Sequence, residues 1–290
     1  MRLVLAVAAV CVLTACGPDG PAAVVPPSPS PTETLTPTST PTVLASFTPS
    51  DPLSLIGSWY VSGLGVATGT QLTFTQGLRV FVPCGVLDGG WKADRTQSLL
   101  VTYVYGGDSS CVGRLTVRWL EGVRGFRAQG ADRLLLDAAG TPVAMLRPGA
   151  RPTLGPNRAP IDSSDDLAPE QRRALQAAPP ALVEGVEPPT AGLLQRRWVP
   201  SGPAPAAAYV TFGADGSWTG SDGCNGLGGR YVLGSAGRWL AVAGGSTAIG
   251  CDNSPIGTWV EQATRIGVVE GDLVLYDTEG IELGQLSPAV

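Results

Sequence analysis

Histidine is absent from the 290 residues, and lysine occurs once, at Lys92. Without imidazole there is no base of the usual kind to activate a serine or cysteine nucleophile, and none of the ligation that most catalytic zinc sites use. Charge is scarce too. Charged side chains make up 15% of the chain, with a formal net charge of −5, which argues against binding nucleic acid through its phosphates. The remaining basic residues are arginines scattered along the sequence rather than clustered into an anion-binding patch. The apolar run at the N-terminus, residues 3–13, is too short to span a bilayer as a mature helix. What the chain has in quantity is punctuation. Its 39 glycines and 26 prolines suit sheets with short turns and Pro-rich linkers rather than long helices, while 43% hydrophobic content is enough for packed cores.

The opening MRLVLAVAAVCVLTAC has one positive charge, an apolar stretch and small residues before Cys16, the pattern of a signal peptide over residues 1–15. Leu13-Thr14-Ala15-Cys16 resembles the lipobox of bacterial lipoproteins. The resemblance implies cleavage before Cys16 and its conversion to a diacylglyceryl thioether, with further fatty acylation such as palmitate. That would leave the chain on the outer face of the cytoplasmic membrane. An ordinary signal peptide cleaved elsewhere is the alternative. Residues 16–52 continue as Pro/Ser/Thr-rich text without apolar periodicity. They cannot bury enough surface to fold and read as a tether whose threonines are open to glycosylation. In polyproline II geometry this tether reaches roughly 100 Å.

The remainder is one unit written twice. Cys84 and Cys111 are followed 140 positions later by Cys224 and Cys251. The same offset carries Trp91 to Tyr231, Trp119 to Trp259, Asp137 to Asp277, Gly140 to Gly280 and Leu146 to Leu286. Trp59 and Trp198 align after a one-residue slip. Two homologous domains are therefore expected over residues 53–149 and 190–290, joined by a linker over 150–189. Each copy opens with a Trp-bearing strand, 55–61 or 194–199, and continues through alternating strands such as 71–74, 78–82 and 99–105. One helix follows the second cysteine. In the second copy Ser254 is its expected N-cap and Pro255 its first residue, with Ile256, Trp259, Val260, Ala263 and Ile266 on one face. The first copy keeps that face as Trp119, Leu120, Val123 and Phe126. Each unit ends in a hairpin turning between Asp137 and Gly140 or Asp277 and Gly280. In the linker, 165–178 is a short helix candidate with Asp166 as cap.

The fold class expected is mainly β (α+β), with tandem small antiparallel domains. Trp198, the Gly223-Cys224-Asn225 triplet, Gly229, Tyr231, Thr247, Cys251, the helix bearing Trp259 and the closing LVLYDTEGIEL segment resemble the META domain, the HslJ-like family of bacterial envelope proteins. The first copy departs from the pattern, with Pro83-Cys84-Gly85 in place of GCN, and reads as a diverged META-like domain. The resemblance implies a small β domain with one packed helix, often on secreted lipoproteins, with some members tied to heat-shock or antibiotic-tolerance phenotypes. It supplies no general catalytic residues.

Six cysteines sort by arithmetic. Cys11 leaves with the signal peptide, Cys16 is the lipidation site, and one pair per repeat remains. Outside the cytoplasm the expected pairing is Cys84–Cys111 and Cys224–Cys251. A thiolate nucleophile lacks its base, and thiolates 27 positions apart make a weak metal site. Gly226 to Gly229 lacks the lysine of a phosphate-binding loop and is expected to form a tight turn. No cofactor or metal is expected. Asp88, Asp94, Asp108, Asp222, Asp252 and Glu261 are the acids available to a glycan hydrolase. The repeated tryptophans read as core, and Tyr103 and Tyr105 are the better surface platforms. The function expected is a non-catalytic binding or scaffold lipoprotein of the cell envelope, its partners an envelope protein, a glycan or a small lipophile. A lipophile carrier and a carboxylate-based wall hydrolase are the alternatives.

Overall fold

The computed structural model of the chain describes residues 51–83, 85–104, 117–153, 167–205, 207–247 and 249–289. The first copy contains β1 (Gly57–Ser62), β2 (Gln71–Phe74), β3 (Leu78–Val82), β4 (Gly85–Ala93), β5 (Leu99–Val104), a one-turn α1 (Arg118–Glu121), β6 (Gly125–Gln129), β7 (Asp132–Leu136) and β8 (Pro142–Pro148). The linker supplies α2 (Pro169–Gln176) and α3 (Ala191–Leu194). The second copy repeats the plan as β9 (Arg197–Pro200), β10 (Ala208–Phe212), β11 (Ser217–Asp222), β12 (Gly226–Leu233), β13 (Trp239–Ala243), α4 (Ile256–Gln262), β14 (Arg265–Val269), β15 (Asp272–Tyr276) and β16 (Glu282–Pro288).

Both copies form an eight-stranded antiparallel sheet with one strand order, β5-β4-β3-β2-β1-β8-β7-β6 and β13-β12-β11-β10-β9-β16-β15-β14. The two ends of each sheet meet. Leu99 N–H donates to Arg124 O (3.1 Å) and Phe126 N–H to Gln97 O (2.9 Å), while Trp239 N–H donates to Thr264 O (2.9 Å). Each sheet is thereby a closed, barrel-like meander, which hides the edges an open sheet would leave unpaired.

The repeat extends to single hydrogen bonds. The Trp59 and Trp198 indoles donate to the carbonyls of Leu55 and Leu194 (2.7 and 3.1 Å). Asp137 Oδ1 accepts from the Ala139 and Thr141 amides, and Asp277 Oδ1 from those of Glu279 and Ile281, all at 2.8–2.9 Å. An indole N–H needs an acceptor when buried, so its site is fixed twice over, by packing and by polarity. The second barrel is filled by Trp198, Trp218, Trp239, Phe212 and Tyr231. Tyr231 and Trp239 stack at 5.0 Å, and Phe212 meets both edge-on. In the first barrel Phe74 and Trp91 pack edge-on at 5.0 Å.

Five local expectations differ from the structure. Ser254 does not cap α4: Pro255 occupies the N-cap position, and the Ser254 amide instead donates to Asp222 O (2.7 Å). Ile266 belongs to β14 rather than to the helix face. The first-copy helix stops after one turn, and Phe126 falls in β6, because Gly122 and Gly125 break the run. The Gly226 to Gly229 stretch is extended in β12, not a turn, because Trp218 lies across Gly229 on the neighbouring strand. The linker helix α2 begins at Pro169 with Ala168 at its cap, and Asp166 lies outside the described residues.

Both barrels belong to one compact unit. Leu100, Leu240 and Val242 form a small apolar cluster between them, Thr102 Oγ1 donates to Ala243 O (2.7 Å), and Arg238 pairs with Asp94 in a mostly buried ion pair. Leu167 and Leu175, flanking and on α2, join the first core, and Glu187 bridges to Val268 of the second barrel.

At the same junction Lys92 donates to Glu261 O, with Glu261 Oε1 at 4.0 Å. Burial pushes its ammonium from 10.5 down to about 8, against a partial upward pull from Glu261. The unfolded chain holds this proton up to its ordinary pKa, so stability is expected to rise as pH climbs from about 8 to 10.5. The side chain is 31% exposed, so the gain is on the order of 1 to 2 kcal/mol rather than the full linkage value. Denaturant midpoints of the parent chain and Lys92→Met, compared at about pH 7 and about pH 10, measure it. Parallel behaviour of the two would refute the desolvated ammonium.

Candidate functional site

The residues of the GCN motif lie at one corner of the second barrel. β11 ends at Asp222, and the chain reverses through Gly223, Cys224 and Asn225 before β12. Gly223 has φ of +101°, and a Cβ there would lie 2.5 Å from Pro205 Cβ. Glycine is required for both reasons. Asp222 Oδ1 accepts from the amides of Cys224 (2.8 Å) and Asn225 (2.5 Å), and Oδ2 accepts from the side-chain amides of Asn225 (3.2 Å) and Asn253 (3.0 Å). Burial pushes this carboxyl upward, but hydrogen bonds from the Asn225 and Cys224 backbone and the two asparagine side chains outweigh it and hold the pKa below the ordinary value.

Asn225 carries the connection onward. Its Nδ2 donates to Ile249 O (3.2 Å), and its Oδ1 accepts from Ile249 N–H (2.6 Å) and Thr247 Oγ1 (3.1 Å). Thr247 Oγ1 accepts from Gly226 N–H (3.2 Å). The Cys224–Cys251 disulfide, with Cα atoms 6.3 Å apart, ties the same two segments covalently. Cys224 is therefore a staple. Cys84, Cys111 and Cys16 lie outside the described residues.

Inside this corner, between the ends of β11–β13 and α4, is a cavity of about 320 Å³. Its polar walls include Trp218, Asp222, Ser246, Ser254 and Glu261. Two of these residues are buried and hold polar atoms without a hydrogen-bond partner: Trp218 Nε1 and Ser254 Oγ. The indole edge bearing Nε1 lies over Gly229, where a Cβ would come within 2.7 Å of it. Gly229 pairs with Ala243, which walls the cavity alongside Gly228 and Gly244. In the first copy the positions of Trp218, Asp222 and Asn253 are Leu78, Val82 and Gly113. This polar chemistry is particular to the second barrel.

Of the acids singled out in the sequence, Asp222 and Glu261 meet at this cavity. Asp88 pairs with Arg79 on a strand surface (2.9 Å) and Asp94 with Arg238, Asp252 is exposed, and Asp108 lies outside the described residues. Trp59, Trp91, Trp198, Trp218 and Trp239 are buried, and Trp119 and Trp259 pack on the two cores. Trp259 lies against Gly284, where a Cβ would come within 2.5 Å of its ring. Tyr105 and the Tyr103 side chain are outside the described residues. Asn253 and the organising role of Asp222 went unread in the sequence. The Asp-x-x-Asn spacing, in which an aspartate accepts backbone N–H groups two and three residues ahead, was the available signal.

A second cleft, of about 360 Å³, lies between the barrels and α2. Its apolar walls include Trp91, Leu167, Leu175, Leu240 and Ala263, and Lys92 borders it. Compared with known proteins, the chain matches no family model, no curated protein and no solved structure.

Proposed function

We propose that the chain is a membrane-anchored lipoprotein of the cell envelope, held by lipidated Cys16, with two META-like barrels in a non-catalytic binding role. The second barrel carries the binding site and the first serves as its support. The observation behind this reading is a cavity next to the GCN corner, walled by Asp222, which organises that corner, together with Asn253, Ser254 and Glu261. Asp222 supports binding over hydrolysis. All its acceptor positions in use are filled by amides, and its depressed pKa keeps it an anion, whereas glycoside hydrolysis needs one carboxyl raised to act as an acid.

Anchoring is tested by Cys16→Ala. The substituted protein is expected to move from the membrane fraction to the soluble fraction, since two or more acyl chains make attachment stable where none remains after substitution. Retention on the membrane would sink the lipoprotein reading. Carriage of a lipophile is the second reading, favoured by the apolar cleft between the barrels. Native mass spectrometry of the full chain separates the two: a reproducible lipid-sized adduct supports carriage, and its absence supports the polar site alone.

A further inference from the structure

We infer that residues 46–49, at the end of the tether, are a strap that seats on the β6 edge of the first barrel, with Phe47 as its apolar anchor. The second barrel has such a strap in the linker. Glu187 N–H donates to Val268 O (3.2 Å) and Val268 N–H to Glu187 O (2.7 Å), an antiparallel bridge on β14. Val186, one residue earlier, lies so close over Gly267 that a Cβ there would come within 2.1 Å of Val186 Cγ1. β14 runs on past its bridge to Arg238, at Arg265, and the strap takes the edge that this leaves.

The first barrel repeats both the edge and the approach to it. Ala128 pairs with Arg133 as Val268 pairs with Leu273, and Ser98 bridges Gly125 as Arg238 bridges Arg265. In that register the Ala128 amide and carbonyl turn to the side of β6 away from β7, as those of Val268 turn away from β15. The chain also enters both barrels by one route. Asp51 Oδ1 accepts from Leu53 N–H (2.9 Å) and Thr190 Oγ1 from Leu193 N–H (3.2 Å), and the carbonyls of Leu55 and Leu194 then hold the indoles of Trp59 and Trp198. Asp51 and Thr190, Leu55 and Leu194, and Trp59 and Trp198 are all 139 positions apart. At that offset Pro41, Val43, Leu44, Phe47, Thr48 and Pro49 stand where the linker has Pro180, Leu182, Val183, Val186, Glu187 and Pro188. Between residues 17 and 40, by contrast, only Val24, Val25 and Leu35 are large and apolar. Residues 46–49 lie outside the described residues, and the edge, the entry route and the register together assign their place. One exchange changes the fit. Arg127 replaces Gly267 and is half-buried on the outward side of β6, where an aromatic ring at Phe47 suits a guanidinium better than valine would. The first domain therefore begins near residue 46 rather than at 53.

Amide hydrogen exchange, read residue by residue on the full-length chain in detergent micelles, tests the strap at Ala128. Its amide is expected to exchange at least about 10-fold faster in Thr48→Pro, which removes the bridging N–H, and in Phe47→Ser, which removes the anchor. Val186→Ser is expected to release the Val268 amide in the same way. The Phe126 amide, bonded to Gln97 O (2.9 Å), should stay protected in both tether variants and so reports that the barrel is intact. An Ala128 exchange rate that neither tether variant changes overturns the strap. Should a variant open the whole barrel, thermolysin gives a reading on the parent chain alone, since it cuts before large apolar residues. Cleavage before Leu35 is expected to outpace cleavage before Phe47 by at least about 10-fold, because a seated strap must first open. Equal rates at the two sites overturn the strap as well.

Discussion

Asp222→Ala is expected to lower the unfolding free energy of the second barrel by about 3 to 5 kcal/mol, because it strips four donors of one charged acceptor at once. Among the described residues the Cys224 and Asn225 amides have no other acceptor at that corner, and Asn225 and Asn253 each lose a side-chain bond. The effect has a pH signature. A carboxyl with a depressed folded pKa gives stability that is fully present above its unfolded pKa of about 4 and is lost as pH falls through the lower folded value. The parent chain should therefore weaken on acidification below about pH 4 more than the alanine variant does. Denaturant midpoints measured across that range decide it, and equal acid sensitivity would show that Asp222 is as well solvated by its partners in the folded chain as by water in the unfolded one.

The double substitution Cys224→Ala with Cys251→Ala should cost about 3 to 4 kcal/mol by releasing a loop closed across 27 positions. Reducing agent applied to the parent chain should lower its midpoint at least as far, since it would also open the Cys84–Cys111 pair expected in the first barrel. An unchanged midpoint would mean that the hydrogen bonds of Asn225 and Thr247 restrain the loop without the covalent tie. Because Asp222, Asn225 and the disulfide hold the same two segments, combining Asp222→Ala with the cysteine substitutions is expected to give a loss different from the sum of the two.

The duplication was legible because it is written in residues whose roles are local. Trp59 and Trp198 each reach a carbonyl four residues back, and Asp137 and Asp277 each organise their own turn. Such roles survive sequence drift in the surroundings. Helix starts were less legible. Ser254 stands where a cap belongs, but the Asp222 carbonyl claims its amide and its hydroxyl makes no capping bond. The glycines of β12 misled for a related reason. In isolation they read as a turn, but their smallness serves a neighbour: a Cβ at Gly229 would lie 2.0 Å from Val242 O as well as against Trp218. The cavity depends on side chains brought together from β11, β13 and α4, and no spacing in one dimension records that meeting. The contact between barrels was equally invisible, since Leu100 and Leu240 look like ordinary strand residues.

That contact joins like to like. Leu100 and Leu240 are the same position in the two copies, as are Ser98 and Arg238, and Arg238 Nη1 donates to Ser98 Oγ (3.1 Å) while pairing with Asp94. In a dimer of two identical second barrels meeting the same way, Arg238 would face its own twin, two guanidinium groups sharing a buried place with glycine at the position of Asp94. Covalent duplication lifts that constraint. One half can keep a cation and the other its counter-ion, so the joint accepts its own sister copy and repels a second molecule built on the same face.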